Sequence, residues 1–538
     1  MSLKKRRDLR EKTKEMFFHG FNGYMTHAFP SDELGPISCT GVGRDKDNPF
    51  DYGRNDVMGD YLLTLVDSMD AVAIIAGKDL FAKTVQAVIK NLDLDKDNQV
   101  QVFECSIRIL GGLLSAHILA TDDRFGFVHD EYNGELLVLA KDLGDRLLKA
   151  FVNEKTDIPF SRVNLRSGPP KTQSVESCSA GAGTLLLEFG TLSRLTGDPR
   201  YEDAAKKAML AIWERRSHIN LVGNGINVVS GKWFNSPTGV GAGIDSFFEY
   251  LLKSAILFND NYYLTVFDQA YRAVLQRVRD NTGYFYLNVD MITGKIWAPW
   301  IDSLSAFFPG LQVLAGDLES AIRGHLVFQN VWFKYGGLPE RYNFHQQTPE
   351  LSAYPLRPEH AESTYHLYQA TKDPMYLEMG EKMLTDIDQR TRTQCGFASL
   401  TNIITGKLED RQESFFLSET LKYLYLLFDI ENPLNSMDGN FVFTTEAHIM
   451  ALPRHLVLNS TQTPLAAHIP RGCPKYVPGK LMGIRSREDT DWVRAVVNYQ
   501  PKDAEERRLL QWNAHLMCIE PKALVAKEKK RLSSLKKT

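Results

Sequence analysis

The sequence predicts an all-α protein built as a ring of paired helices. Three observations carry this: an Asp-centred break that recurs at nearly constant spacing, an apolar-then-polar alternation of the helices around it, and short strand-like stretches between the pairs. The breaks read Ala-Gly-Lys-Asp79, Thr-Gly-Asp198-Pro-Arg-Tyr, Phe-Asn-Asp260-Asn-Tyr-Tyr, Ala-Gly-Asp317 and Thr-Lys-Asp373-Pro-Met-Tyr. From Asp198 onward they lie 62, 57 and 56 residues apart, and Asp79 precedes Asp198 by 119, close to two further periods. A fixed period of this length marks a helical-hairpin repeat.

Each repeat opens on an apolar helix, expected from Gly183 to Leu195, Ser246 to Phe258 and Ala361 to Ala370. A more polar helix follows, as from Tyr201 to Arg215 and from Tyr376 to Arg390. Inward-facing first helices and outer second helices produce this pattern. Six or seven such hairpins could stack as an open solenoid or close as a toroid. The missing polar capping repeats favour closure. Three stretches alternate apolar and polar residues up to a Ser-Gly or Thr-Gly turn: Pro159 to Gly168, Gly225 to Trp233 and Tyr284 to Gly294. They are expected as small hairpins over one mouth of the ring. After about residue 450 the repeat stops.

Charge is unevenly laid out. Residues 1–15 carry +4 and residues 522–538 carry +6, so the formal −3 of the whole leaves −13 for the rest. An acidic body argues against a nucleic-acid groove, and the basic ends read as solvated tails. No run of roughly 18 apolar residues suggests a transmembrane segment. Behind Met1-Ser-Leu-Lys-Lys-Arg-Arg7 there is no apolar core of a signal peptide, which taken literally places the chain in the cytoplasm. The six cysteines lack zinc spacing, leaving one or two long-range disulfides open. Asn459-Ser-Thr is a glycosylation sequon.

The most informative residues are acids inside the apolar helices: Glu104, Glu188, Asp245 with Glu249, Glu359 with Glu362, and Glu413 with Glu419. A buried carboxylate without a partner is costly, so one or more per inner helix calls for a reason. Arg108, four residues after Glu104, and Arg357, two before Glu359, can offset part of that cost. Asp245 and Glu249 place like charges on one helical face. A ring aims such groups at one centre, forming a negative pocket suited to a cation or a hydroxyl-rich ligand. Two carboxyl groups flanking a glycosidic bond are the standard machinery of glycoside hydrolysis. Phe103, Phe247, Phe248, Phe415 and Phe416 are placed to stack on sugar faces, although Phe in an apolar helix is more often core. His27, His360 and His448 lack metal spacing, and neither a Gly-rich phosphate loop nor a GxSxG elbow occurs.

At these residues the chain resembles the class I α-1,2-mannosidases, glycoside hydrolase family 47. The matching stretches include Tyr24-Met-Thr-His-Ala-Phe-Pro, Leu63-Thr-Leu-Val-Asp-Ser-Met-Asp70, Phe103-Glu-Cys-Ser-Ile-Arg108, Gly241-Ala-Gly-Ile-Asp-Ser-Phe-Phe-Glu-Tyr250, Leu356-Arg-Pro-Glu359, Glu413-Ser-Phe-Phe-Leu-Ser-Glu-Thr420 and Phe443-Thr-Thr-Glu-Ala-His448. Phe307-Phe-Pro-Gly-Leu-Gln312 and Cys395-Gly-Phe-Ala are similar to its ER degradation-enhancing α-mannosidase-like branch. The resemblance implies an (αα)7 barrel over residues 16–452; the charge layout sets a basic N-terminal segment (1–15) before it, and the end of the repeat a C-terminal extension (453–538), expected to be partly disordered, after it. The resemblance also implies Ca2+ held by the hydroxyl and carbonyl of Thr445. It assigns Glu104 as general acid, Glu359 as base and Asp245 as the third essential carboxylate of an inverting reaction. Arg108, Glu188, Arg357, Glu362, Phe415 and Glu419 fall on its sugar-binding shell, and Cys39 and Cys395 on its disulfide.

The implied activity is exo-α-1,2-mannosidase trimming of high-mannose N-glycans on misfolded glycoproteins, marking them for ER-associated degradation. A thioredoxin-fold oxidoreductase of the protein disulfide isomerase type is the implied partner. The alternative is a catalytically weak lectin-like receptor that hands misfolded glycoproteins to the degradation machinery. The branch implies the endoplasmic reticulum lumen, against the literal N-terminus. The C-terminal Ser-Leu-Lys-Lys-Thr538 is not a KDEL-type signal.

Overall fold

A computed structural model describes residues 1–169, 174–437, 439–457, 493 and 495–499. The sequon at Asn459 and nearly all of the C-terminal extension lie outside the described residues. Among the described residues, seven inner and seven outer helices pair into a closed ring. The pairs are α2 (Met69–Ala76) with α3 (Lys78–Asn91), α4 (Gly111–Thr121) with α5 (Glu135–Leu147), and α6 (Leu186–Thr196) with α7 (Arg200–Glu214). Next come α8 (Asp245–Phe258) with α9 (Asn261–Arg277), α10 (Phe308–Leu314) with α11 (Leu318–Tyr335), and α12 (Glu359–Thr371) with α13 (Pro374–Thr391). The seventh inner helix, α14 (Leu421–Phe428), packs back against α2 and takes its outer partner from the other end of the chain, α1 (Leu3–Gly23).

That pairing corrects the reading of residues 1–15 as a solvated tail. They form most of α1, and the boundary drawn at residue 16 falls inside this helix. The N-terminal basic run misled because one of its charges, Arg6, is a buried anchor. Its guanidinium donates to the Phe428 carbonyl at 3.1 Å, the Leu427 carbonyl at 2.8 Å and the Tyr368 hydroxyl at 2.6 Å.

Burial separates the two layers. In α4 every residue from Gly111 to Ala120 is buried, as for a helix surrounded on all sides. In α3 only Phe81, Thr84, Val85 and Val88 are buried, a single stripe at helical spacing. Burying each of the larger three contributes about 1.5–3 kcal/mol. Inner helices approach closely where side chains vanish: a Cβ on Gly190 would stand 2.6 Å from the Phe258 ring. One inner stretch, Val102–Thr121, is long and apolar enough to cross a membrane, contrary to the expectation of no such run; it is 89% buried inside the ring.

The Asp-centred breaks are helix caps. Asp260 accepts from the Tyr262 amide at 2.8 Å, Asp317 from Ser320 at 3.2 Å and Asp373 from Met375 at 2.9 Å, each satisfying an amide that the first turn leaves open. At Asp79 the turn is made instead by Gly77, at φ +91°.

Because inner helices end at these breaks, their N-termini all lie on the opposite face, where the ribbons are. Two of the three ribbons pair as expected: Gly225–Asn227 with Trp233–Asn235, and Asn288–Asp290 with Ile296–Ala298. The third does not. Arg162–Asn164 pairs with Gln99–Gln101, across a helical hairpin, because local sequence sets strand chemistry but not the partner. A last ribbon, Phe441–Phe443 with Ile449–Ala451, enters from the far face. Asn440 bonds the Leu257 carbonyl and Arg194 the Leu456 carbonyl, both at inner-helix C-terminal ends. Its turn forms the floor of the ring.

Candidate active site

The three central acids sit at the ribbon-facing ends of three inner helices. Glu104 closes the turn Val102–Glu104, while Asp245 and Glu359 are the first residues of α8 and α12. A helix N-terminus favours negative charge, so these places suit carboxylates. Two inner helices contain a widened stretch near their start. Cys105–Leu110 and Phe416–Thr420 are π-helical, an uncommon widening often found at functional sites, and they carry Arg108 and Glu419.

Arg108 donates from Nε to Glu104 at 2.8 Å, from Nη1 to Ser414 at 3.3 Å, and pairs with Glu446 at 2.6 Å. The local pairing expected for Glu104 is therefore present. The one expected for Glu359 is not: Arg357 forms a two-pronged pair with Glu340 at 2.5 and 2.9 Å. Both guanidiniums lie against the Phe415 ring, 5.5 and 5.7 Å from its centre, which joins the Glu104 and Glu359 sides of the site. Of the five phenylalanines expected to meet sugar, Phe247, Phe248 and Phe416 pack in the apolar core; Phe415 is buried too but lies outside that core cluster, and Phe103 is half-buried. The like-charge pair Asp245 and Glu249 is relieved by Lys253, four residues on, which pairs with Glu249 and stands 3.9 Å from Glu362.

Burial dominates the electrostatics. It pushes Asp245 up to about 7 against the Ser246 amide that bonds it, and Glu188 up to about 8 despite the Tyr250 hydroxyl donating to it at 2.5 Å. Glu359 is raised well above the carboxylate range by burial, with Arg357 pulling the other way. Glu362 and Glu419 are raised for the same reason, Glu419 also by its neighbour Glu446. Such a set is acidic surroundings short of positive charge.

Thr445 lies on the floor turn, next to the Tyr250 hydroxyl that Glu188 holds. Beside it, the second oxygens of Glu188 and Glu446 are buried without a hydrogen-bond partner. Among the described residues no three His, Cys, Asp or Glu side chains converge as ligands. A cation here would thus meet neutral oxygens and water, with two half-satisfied carboxylates behind, and that donor set fits Ca2+ better than zinc. Cys39 and Cys395 are disulfide-bonded across 356 residues, as the resemblance implies.

Sequence reasoning missed Asp67, Asp70, Lys422, Lys253, Glu340 and the role of His448. Two acids three apart in Leu-Thr-Leu-Val-Asp67-Ser-Met-Asp70 were the available signal, and nothing local named their partners.

A closed ring of helical hairpins with paired carboxylates at one mouth and a capped floor defines a class, the helical-barrel carbohydrate-active proteins. Within it this chain belongs to Glycosyl hydrolase family 47, which matches residues 16–452. Curated relatives that the chain matches bear α-mannosidase names. The chain is 48% identical over 455 residues, 85% of its own length and 58% of the relative's, to ER degradation-enhancing alpha-mannosidase-like protein 1 of Schizosaccharomyces pombe. It is 40% identical over 462 residues, 82% of its length and 77% of the relative's, to ER degradation-enhancing alpha-mannosidase-like protein 2 of Homo sapiens. The fission-yeast relative is thus considerably longer. The fold is that of an alpha-1,2-mannosidase from Trichoderma reesei, with a TM-score of 0.74 at 23% identity, covering 83% of this chain and 99% of that one.

Proposed function

We propose that this chain is a calcium-dependent inverting exo-α-1,2-mannosidase that trims high-mannose N-glycans of misfolded glycoproteins in the endoplasmic reticulum lumen, marking them for degradation. The observation that carries the reading is the placing of Glu104, Asp245 and Glu359 at ribbon-facing ends of three inner helices, linked through Arg108, Phe415 and Arg357.

In this reading Glu104, oriented by Arg108, gives its proton to the glycosidic oxygen as the bond to the anomeric carbon breaks. Glu359 takes a proton from the water that attacks that carbon from the opposite face, and the two carboxyls exchange protons with solvent before the next cycle. Asp245, at the start of a third helix, orients water or sugar. Arg357, Glu188, Glu362 and Glu419 hold sugar hydroxyls, and Phe415 packs on the ring. The Thr445 hydroxyl and carbonyl would hold Ca2+, which when bound offsets the surrounding carboxylates and accepts sugar hydroxyls as hard oxygen ligands. A thioredoxin-fold oxidoreductase is proposed as partner through the Cys39–Cys395 pair, of which Cys39 is the more accessible.

The test is mannose release from a denatured glycoprotein with and without a chelator. Chelator-sensitive release, abolished by Glu104→Gln, is expected. No release by the wild type, or undiminished release by Glu104→Gln, overturns the reading.

A further inference from the structure

Four charged side chains without a part in this chemistry are buried together beneath the site. Asp67, Asp70, Lys422 and His448 all have 0% side-chain exposure. Buried ion clusters are expensive, and apolar residues of like size commonly stabilise as well or better, so stability alone does not explain this one. Its contacts lead to two different parts of the site.

One set holds the floor turn. Lys422 Nζ bonds Asp70 at 2.8 Å and the Ala447 carbonyl at 2.7 Å. His448 sits between the aspartates, Nε2 3.2 Å from Asp67 and Nδ1 3.2 Å from Asp70. Ser115 donates to Asp70 at 3.0 Å and accepts from the Ile449 amide at 3.0 Å. Between these anchors, Thr444 Oγ1 accepts from the Glu446 and His448 amides, and Ala447 takes φ +56°. A non-glycine residue in that conformation is strained and persists only where its surroundings hold it. Thr445 rides on this turn.

The other set leads to the acid. Asp67 accepts from Ser418 at 3.1 Å and faces Arg108 Nη1 at 4.0 Å. Arg108 in turn holds both Glu104 and Glu446. Glu446 of the turn reaches the Arg108 guanidinium directly at 2.6 Å, and Asp67 joins the same guanidinium, at 4.0 Å, to His448 at the other end of the turn.

We propose that Asp67 is a positioning residue that couples the Thr445 turn to the Glu104 clamp, so that divalent-cation binding on the floor and the orientation of the proton donor are set together. The inference rests on the reading of the chain as a cation-dependent hydrolase. Coupling of this kind is reciprocal: whatever loosens the clamp weakens the cation, and the reverse.

The experiment uses the full chain as wild type, Asp67→Asn and Ser418→Ala. Asparagine keeps the shape of Asp67 and removes its charge, while Ser418→Ala removes a single hydrogen bond. Two quantities are read: the calcium chloride concentration giving half the rise in melting temperature, and kcat and KM for mannose release from a free high-mannose oligosaccharide at saturating calcium. For Asp67→Asn the half-saturating calcium rises about tenfold and kcat falls about tenfold, with KM changed less than about twofold. Ser418→Ala moves both in the same directions by about threefold. A folded Asp67→Asn with an unchanged calcium response, or with only one of the two quantities moved, overturns the proposal. If Asp67→Asn does not fold, Ser418→Ala decides on the same readouts. A wild type that binds calcium and releases no mannose sinks the hydrolase reading instead, and the calcium response then decides the coupling to the floor by itself.

Discussion

Arg6 donates to the carbonyl of Phe428, 422 residues away, and that bond fastens the first helix of the chain to the last helix of the ring. The carbonyls of Leu427 and Phe428 end α14 and have no intrahelical donor, so Arg6 serves as their cap as well as a strap. Arg6→Ala leaves both buried carbonyls and the Tyr368 hydroxyl short of a partner and is expected to cost about 2–3 kcal/mol. Arg7→Ala, which breaks only an exposed 3.7 Å pair with Glu431, should change stability by less than about 0.5 kcal/mol. Chemical denaturation of the two variants side by side tests this; equal losses would mean the first helix is not fastened through Arg6.

The Cys39–Cys395 bond ties the turn between the paired strands Glu33–Gly35 and Thr40–Val42 to the segment after α13. Replacing either cysteine by serine should lower unfolding free energy by about 2–4 kcal/mol. The loss should disappear when wild type and variant are compared in reductant, which denaturation curves in both conditions would show.

Glu359→Gln removes the proposed base and should reduce kcat by about 10²–10⁴-fold with little change in KM. Because burial holds the Glu359 carboxyl well above its ordinary range, the wild-type activity should fall on acidification from a pH above the usual carboxylate value of about 4.3. A pH–rate profile in which the residual activity of Glu359→Gln keeps the same acid limb would assign that limb to another group.

His448 and Asp70 make a stability window. Burial alone would discharge His448, yet Asp70 and Asp67 on its two nitrogens hold it up at about 9, above the ordinary 6.5. Its contribution is therefore complete below pH 6.5 and lost as pH rises through about 9. Asp70 resists burial through Lys422 and His448, which keep it at about 2, so its contribution is complete above pH 3.8 and lost as pH falls toward 2. The stability gap between wild type and His448→Gln should close above pH 9, and that between wild type and Asp70→Asn should shrink from pH 3.8 downward and close below about 2. Unfolding free energies across that range decide it; gaps flat with pH would show that neither charge contributes.

The hairpin repeat was legible because the breaks at Asp260, Asp317 and Asp373 are local devices: a carboxylate two or three residues before the amide it caps. The acids were legible as well, since a carboxylate in an apolar helix stands out by composition alone. Partners at helical spacing could be named, as Arg108 for Glu104, but the rule failed for Arg357. Pro358 keeps that residue outside α12, and its side chain reaches back to Glu340 on another segment.

By itself, then, the sequence determined the helices, their caps, the inner and outer faces and the acids at the mouth, all of which depend on neighbours within about one helical turn. The tertiary structure decided how the ring closes, which cations meet which acids, and that Asp67 stands between the floor turn and the clamp. Those outcomes join residues hundreds of positions apart, where no periodicity in the chain reports on contact and only packing selects the partner.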